Sequence, residues 1–231
     1  MTRFGAVPYL NARPLVEGLD PLTLEAPAAL AHAFEAGQVD VALLPVVAGE
    51  ALGAPRIADL GIAADGRVDS VLLFLRQLPE EVRTVYLDPD SRTSNVLALL
   101  LLRSYGLDPE VVDDPFGADA ELVIGDRALL RNRESPDDVL DLGAAWKQRT
   151  GLPFVFAAWY GDESAAGELK AAYKRGRGRL AEYAAAGERS LGIPAVLLEQ
   201  YLRDRIRFQL GRAERKGLQL FLDEARKESL L

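Results

Sequence analysis

SVLLFL, residues 70–75, is the first of two β-prone stretches that decide the fold of this 231-residue chain; the second is PFVFAAW, residues 153–159. They bracket a segment in which strand and helix patterns alternate, and a similar segment precedes the first stretch. After Trp159 the chain is helical in pattern and rich in Ala, Glu and Arg. We therefore expect the chain to cross into a second lobe along the first stretch and to return along the second.

The segment before residue 70 predicts a β-α-β-α-β order. Strands are expected at Arg3–Tyr9, Leu22–Ala26 and Val39–Val47, and helices at Asn11–Leu19 and Ala28–Ala36. Strands joined through helices in this way require right-handed crossovers. The order therefore favours a mainly parallel sheet.

The same alternation begins again after the first β-prone stretch. It predicts strands at Thr84–Leu87, Glu110–Asp113 and Glu121–Ile124, with helices at Thr93–Tyr105 and near Arg127–Arg131. Two α/β segments of similar length indicate two lobes rather than one sheet.

Together these patterns predict an α/β, two-lobed fold with mainly parallel sheets joined by a two-strand hinge. Residues 1–74 and 160–231 are expected to form lobe one, and residues 75–159 lobe two. Helices with apolar spacing over Ile193–Leu202 and Leu218–Ala225 would pack back onto lobe one. This architecture is similar to the type II periplasmic-binding-protein fold, whose lobes close on a ligand.

The composition narrows the class of function. Asp and Glu number 35 against 27 Lys and Arg, a net charge of −8, which argues against a nucleic-acid partner. The chain has no cysteine and one histidine, His32, so we expect no disulfide and no metal site. No secretory signal is expected at the N-terminus, and the longest apolar run, Val96–Leu102, is too short to span a membrane. We expect a soluble, cytoplasmic protein without membrane insertion; the pattern predicts no particular oligomeric state.

Polar residues follow or begin several predicted strands, where ligands bind in open α/β sheets. Asn11 follows the first strand, but Asn is a favoured helix N-cap and Pro14 lies close behind it. On the residues alone, a capping role for Asn11 therefore outweighs a ligand contact. Ser70 stands where the first β-prone stretch begins and has no distinguishing feature of its own.

A group of hydroxyls precedes the predicted helix Thr93–Tyr105. Ser91, Thr93 and Ser94, together with free backbone N–H groups at the helix start, would suit a carboxylate or phosphate. A hydroxyl-rich cap is an equally good explanation. Arg92, within the group, either pairs with an anion or faces solvent.

Gly125 and Asp126 follow the predicted strand Glu121–Ile124. Gly125 permits a close backbone approach, and Asp126 either caps the next helix or accepts a hydrogen bond from a ligand hydroxyl. The sequence has no glycine-rich phosphate loop and no G-x-S-x-G elbow. His32 lies among alanines inside a predicted helix, so neither a nucleophilic triad nor a histidine base is expected.

Five motifs in order give the chain a family resemblance. They are YLNARPL (9–15), DSVLL (69–73), SRTS (91–94), IGD (124–126), and DLG, WK and TGLPFVFA with a final Trp between residues 141 and 159. The chain resembles the chorismate dehydratase family, which opens the futalosine pathway of menaquinone biosynthesis. A sister enzyme, 1,4-dihydroxy-6-naphthoate synthase, typically carries His-Glu at 125–126 and Leu-Pro-Leu-Gly at 154–157, unlike this chain.

The resemblance implies a lyase that converts chorismate to 3-[(1-carboxyvinyl)oxy]benzoate and water. The family's catalytic asparagine and serine match Asn11 and Ser70. We expect the 91–94 hydroxyls to bind a substrate carboxylate and residues 125–126 to line the facing wall. The reaction is redox-neutral and implies no cofactor, and the resemblance implies that a substrate carboxylate accepts the proton. The alternatives are the sister synthase and a non-catalytic cytoplasmic protein that binds a small anion.

Overall fold

The computed structural model describes residues 1–134 and 139–231, which form two β-sheets with helices packed against them. The strands are β1 (Phe4–Ala6), β2 (Leu22–Leu24), β3 (Val41–Pro45), β4 (Arg56–Ala64), β5 (Val71–Leu75), β6 (Thr84–Tyr86), β7 (Glu110–Val111), β8 (Ala120–Ile124), β9 (Val139–Asp141), β10 (Phe154–Gly161) and β11 (Arg207–Gln209). The α-helices are α1 (Arg13–Val16), α2 (Pro27–Glu35), α3 (Val46–Ala51), α4 (Arg92–Ser104), α5 (Gly125–Glu134), α6 (Leu142–Thr150), α7 (Ala166–Gly176), α8 (Leu180–Leu191), α9 (Ala195–Gln200) and α10 (Arg212–Lys227).

The two-lobed α/β fold is as predicted, but its sheets are mixed rather than mainly parallel. The first sheet has the strand order β11-β4-β10-β3-β1-β2, and the second has the order β7-β6-β8-β5-β9. β1 pairs in parallel with β2 and β3, as the β-α-β pattern predicts, whereas β10 is antiparallel to β3 and β4. β5 is likewise antiparallel to β8 and β9. The antiparallel pairs therefore involve the strands next to the crossings. These strands are not part of a β-α-β unit, so no such unit sets their direction.

The crossings between the sheets lie a few residues from their predicted positions. β5 belongs wholly to the second sheet and β10 wholly to the first. The chain therefore crosses once between β4 and β5, over residues 65–70, and returns between α6 and β10, over residues 151–153. Residues 71–74 go with the second sheet and residues 154–159 with the first, which shifts both predicted boundaries. The β propensity of these stretches indicates a strand but not the sheet that receives it.

Two elements of the first sheet differ from the sequence prediction. The sequence predicts no strand over Arg56–Ala64, yet β4 lies between β10 and β11. Ala58 and Asp59 in β4 have positive φ angles of 65° and 52°. This backbone irregularity interrupts the alternation of inward and outward side chains by which a strand is recognised in a sequence. Val46 and Val47, predicted as strand, instead begin α3 because the strand ends at Pro45.

A buried aromatic cluster packs around the return crossing. Trp146 of α6, Phe154 of β10 and Phe221 of α10 are all fully buried. Their rings meet edge to face, with centroid separations of 5.4 Å for Trp146–Phe154, 6.0 Å for Trp146–Phe221 and 4.8 Å for Phe154–Phe221. The helix α10 therefore packs against β10 of the first sheet, and it also contacts α4 of the second.

The helices offer no candidate for a membrane crossing. Across residues 1–134 and 139–231, none combines the length and the mean hydropathy that a bilayer span would need.

The first prediction concerns Gly217 in α10. A Cβ built there would come within 2.0 Å of the carbonyl oxygen of Pro153, in the return crossing. Because backbone cannot rotate away as a side chain can, the helix must shift. We expect Gly217→Ala to lower the free energy of unfolding in urea by about 1–3 kcal/mol.

Gly167→Ala in α7 is the matched control, because a Cβ there meets nothing within 4 Å. It should leave stability unchanged or raise it by up to about 1 kcal/mol. Equal effects of the two substitutions would contradict a tight contact between α10 and the crossing.

Candidate functional site

A cavity that is partly open to solvent lies between the sheets, at the carboxyl ends of β1, β3 and β8. The empty space of the cavity, counted together with the solvent at its mouth, is about 540 Å³. The described residues that line it are Val7, Tyr9, Asn11, Pro27, Leu43, Pro45, Ile62, Val68, Ser70, Val71, Ser91, Thr93, Ser94, Ile124, Gly125, Phe156 and Ala157. The structure thus brings every predicted site residue except Asp126 to one cavity.

Asn11 lies on the 3-10 turn Leu10–Ala12 and is buried. It does not cap a helix, since the cap positions are Tyr9 for this turn and Ala12 for α1. The Asn11 Nδ2 donates a hydrogen bond of 2.9 Å to the hydroxyl of Tyr201. The Asn11 Oδ1 is buried and has no hydrogen-bond partner among the described residues. An acceptor in that state is available to a ligand.

Ser70 lies at the end of the first crossing, one residue before β5, and is 1% exposed. The Tyr201 hydroxyl donates to Ser70 Oγ at 2.9 Å. Because Ser70 Oγ accepts this bond, its own hydrogen is free to donate into the cavity. The backbone carbonyl of Ser70 accepts the N–H of Gly125 at 2.8 Å, which joins two walls of the cavity.

Tyr201 is a functional candidate that the sequence analysis missed. It begins a π-helical turn, Tyr201–Arg205, that follows α9, and it is buried behind Asn11 and Ser70. Burial raises its pKa well above the ordinary tyrosine value, so the hydroxyl remains protonated and able to donate. The sequence does give one signal for Tyr201: it lies within the apolar spacing of Ile193–Leu202, which predicts that it is buried. A buried tyrosine hydroxyl needs a hydrogen-bond partner.

The hydroxyls at the start of α4 divide into different roles. Ser91 Oγ caps the helix by accepting the Ser94 N–H at 3.3 Å. Thr93 Oγ1 accepts the N–H of Val47 from the first lobe at 3.1 Å. Ser94 uses its backbone in the cap, and its side chain lines the cavity. Arg92 is exposed and lies outside the cavity lining.

Gly125 allows the ring of Tyr9 to cover one side of the cavity. It has a φ angle of +65°, and a Cβ at this position would come 3.0 Å from the Tyr9 ring. Only glycine combines this backbone conformation with so close an approach. Burial, with a smaller contribution from the charge of Asp88, raises the pKa of Tyr9 to about 12, so Tyr9 is neutral at pH 7.

Asp126 has a different position from the one expected. Its Oδ1 accepts the N–H of Leu10 at 3.1 Å, and the side chain lines a neighbouring cleft with Arg13 and Glu17. The structure therefore does not bring Asp126 into the cavity with the other predicted site residues. The carboxylate instead ties the start of α5 to the segment that carries Asn11.

The cavity provides polar groups rather than ionised ones. Among the described lining residues, Tyr9 is the only one with an ionisable side chain. The remaining polar side chains in the lining are the Asn11 amide and the hydroxyls of Ser70 and of the 91–94 turn, which begins α4. Such a set can orient an anion and stabilise its charge through the helix dipole. The described part of the chain gathers no group of three or more potential metal-ligating side chains.

Comparisons with known proteins support both the fold and the family. A family model described as menaquinone biosynthesis matches residues 2–227. A chorismate dehydratase of Thermus thermophilus is 33% identical, with 93% of this chain and 92% of that protein aligned. Protein AF1704 of Archaeoglobus fulgidus superposes with a TM-score of 0.73 at 14% identity, covering 99% of this chain and 98% of that one.

A further structural relative names the fold. The CA3427 gene product of Candida albicans, which has the generic periplasmic binding protein fold, superposes with a TM-score of 0.61 at 12% identity, over 100% of this chain and 90% of that one. At such low identity a structural likeness shows the fold alone. The chain has the periplasmic-binding-protein-like fold that its two segments predict.

The second prediction concerns the pH dependence of stability through Asp126. Burial raises its pKa, although the Leu10 N–H and the charge of Arg13 oppose the shift. The folded chain therefore binds this proton more tightly than the unfolded chain. The resulting stabilisation is complete below the ordinary Asp pKa of 3.8 and is lost as the pH rises through the raised value. We expect the free energy of unfolding of the wild type, relative to Asp126→Asn, to fall from acid to neutral pH.

Equilibrium urea unfolding at several pH values measures this difference. Asp162→Asn is the control of opposite sign, because hydrogen bonds from Ser164 lower the pKa of Asp162. Relative to Asp162→Asn, the wild type should gain stability over the same pH change. Parallel curves for the wild type and Asp126→Asn would contradict the prediction.

Proposed function

Since this chain belongs to the menaquinone biosynthesis family, we propose that it is a chorismate dehydratase, a lyase that converts chorismate to 3-[(1-carboxyvinyl)oxy]benzoate and water. The observation that carries the proposal is the meeting of the buried residues Asn11 and Ser70 in one cavity, although they are 59 residues apart in the chain. These are the residues that match the catalytic asparagine and serine in the family resemblance. The Thermus thermophilus relative, aligned over nearly the whole chain, supports the same reaction.

The reaction removes a proton from C3 and hydroxide from C4 of the substrate ring. Formation of an aromatic ring makes the elimination thermodynamically favourable. The remaining requirement is a base that accepts the C3 proton. The proposed acceptor is the carboxylate of the substrate's own enolpyruvyl arm. That proton then joins the departing hydroxide as water, so the atoms and charge balance without an external base. The composition of the cavity supports this route, because its ionisable Tyr9 has a pKa of about 12 and is neutral.

In this proposal Asn11 and Ser70 hold the departing hydroxyl and the reacting arm. Both side chains are buried, so a substrate between them is shielded from water. Hydrogen bonds in such an environment are stronger than in water and are already oriented when the substrate arrives. Holding the arm over the C3 proton makes the transfer intramolecular, which is a large source of rate acceleration.

The start of α4 is the proposed site for a substrate carboxylate. The helix is 13 residues long, and Ser91, Thr93 and Ser94 at its start line the cavity. A helix N-terminus stabilises an adjacent anion by about 0.3–1 kcal/mol when exposed and up to about 2 kcal/mol when partly buried. Apolar residues such as Phe156, Ile62 and Leu43 would contact the ring. We propose that the enzyme acts in the cytoplasm, in line with the sequence-based expectation.

The third prediction tests the reaction and its two central residues. The purified wild type should convert chorismate to an aromatic product, followed by its ultraviolet spectrum and by chromatography. Asn11→Ala and Ser70→Ala should each lower kcat by about 100-fold or more, because each removes a group aimed at the reacting atoms. Circular dichroism would check that both variants are folded.

Ser104→Ala serves as the control, since Ser104 lies at the far end of α4 and donates to the carbonyl of Leu101. It should retain the wild-type rate. Wild-type rates in both cavity variants would overturn the assignment of Asn11 and Ser70. Turnover of cyclic dehypoxanthine futalosine in place of chorismate would identify the sister synthase, and binding of chorismate without turnover would identify a non-catalytic protein.

The fourth prediction concerns Ser94. Ser94→Ala removes the hydroxyl but keeps the backbone N–H that the helix cap uses. We expect KM for chorismate to rise roughly 10-fold with little change in kcat, since a hydrogen bond to a charged group contributes about 1.5 kcal/mol or more. Steady-state kinetics beside Ser104→Ala measures the effect, and an unchanged KM would remove Ser94 from the carboxylate site.

A further inference from the structure

We propose that Tyr201 is a positioning residue that sets the hydrogen-bonding direction of Asn11 and Ser70, so that the first presents an acceptor to the substrate and the second a donor. The inference rests on the proposed chorismate dehydratase activity and extends it to a residue outside the matched motifs. Tyr201 does not line the cavity; it lies behind the two residues that do. Any effect on the reaction therefore passes through Asn11 and Ser70.

The two hydrogen bonds of the tyrosine hydroxyl determine which atoms remain for the substrate. Asn11 Nδ2 donates to the hydroxyl oxygen at 2.9 Å, and the hydroxyl donates to Ser70 Oγ at 2.9 Å. Because Asn11 uses its Nδ2 in this bond, its Oδ1 faces away from Tyr201. This oxygen is buried and has no hydrogen-bond partner among the described residues. Ser70 accepts one bond and keeps its hydrogen to donate.

This arrangement matches the groups that chorismate offers. At neutral pH its two carboxylates and its ether oxygen are acceptors, and its only hydrogen-bond donor is the C4 hydroxyl. An unpaired buried acceptor is costly unless a donor reaches it. Asn11 Oδ1 is therefore assigned to the C4 hydroxyl, the group that leaves. Ser70 is assigned to an acceptor oxygen of the substrate.

A second contact anchors the turn that carries Tyr201. Arg205, four residues on, forms an ion pair of 2.6 Å with Asp69, the residue before Ser70. Asp69 in turn donates its backbone N–H to Asp141 at 2.8 Å, at the start of α6. The π-helical turn and the first crossing are thus fixed to each other at two neighbouring points. A rigid support of this kind is what keeps a reactive group within the tolerance that catalysis requires.

The direct test is Tyr201→Phe, which keeps the ring and removes only the hydroxyl. We expect kcat to fall by about 10- to 100-fold, with KM for chorismate changed much less. The inhibition constant of the product should change less than kcat does, because the product has lost the C4 hydroxyl and of these two contacts keeps only the one to Ser70.

Double variants separate positioning from a general loss of stability. If Tyr201 acts through its two partners, Tyr201→Phe should add little to the loss already caused by Asn11→Ala or Ser70→Ala. Tyr183→Phe is the matched control, because it removes another hydroxyl of the C-terminal helices, one that donates to Glu17 at 2.6 Å away from the cavity. It should keep the wild-type kcat even if it lowers the melting temperature.

A measurement without substrate keeps this inference separate from the proposed function. In the wild type, the side-chain amide signal of Asn11, assigned by its loss in Asn11→Ala, should exchange slowly with solvent. In Tyr201→Phe that signal should shift and exchange faster. A wild type inert toward chorismate would refute the proposed function, whereas the amide signal would still test the hydrogen bond. An active wild type whose Tyr201→Phe variant keeps its kcat, or whose double variants lose activity multiplicatively, would overturn the positioning role.

Discussion

Hydrogen bonds from side chains of one lobe to backbone groups of the other hold the cavity together. Asp126 accepts the N–H of Leu10, and Thr93 accepts that of Val47. A neutral bond of this kind contributes about 0.5–1.5 kcal/mol net and a bond to a carboxylate about 1.5–3 kcal/mol. The lobes also share one buried apolar cluster, which includes Leu43 of β3 and Leu97 of α4. The same hydrogen bonds occupy Asp126 Oδ1 and Thr93 Oγ1, whereas the buried Asn11 Oδ1 has no hydrogen-bond partner among the described residues.

The charge distribution explains how an acidic protein can favour a dianion. The net charge of −8 opposes the substrate at long range, where salt screens it. Inside the cavity the relevant groups are short-range dipoles: the first turn of α4, the serine hydroxyls and the amide of Asn11. Tyr9 remains neutral because burial raises its pKa. Attraction therefore depends on orientation and burial rather than on the overall field.

Much of the site was accessible from the sequence because its residues sit at the ends of recognisable strands. Asn11, Ser70, the 91–94 hydroxyls and Gly125 all line the cavity. Asp126 lies outside the cavity lining, and its carboxylate accepts a backbone N–H. The spacing after a strand does not distinguish such a bond from a ligand contact. Tyr201 was missed because its partners lie 131 and 190 residues away along the chain. An apolar helical pattern predicts that a tyrosine is buried, but not which residues its hydroxyl contacts.

The sequence by itself determined the two α/β segments, the approximate places where the chain passes between them, and the family. Alternating strand and helix patterns and five ordered motifs are local properties, readable one segment at a time. Only the tertiary structure decided that β10 inserts antiparallel between β3 and β4, and that β4 exists as its neighbour. It also decided which polar groups face the cavity and which pair with each other. Those outcomes depend on contacts between residues far apart in the chain, because a buried polar group must find its partner wherever the fold brings one within reach.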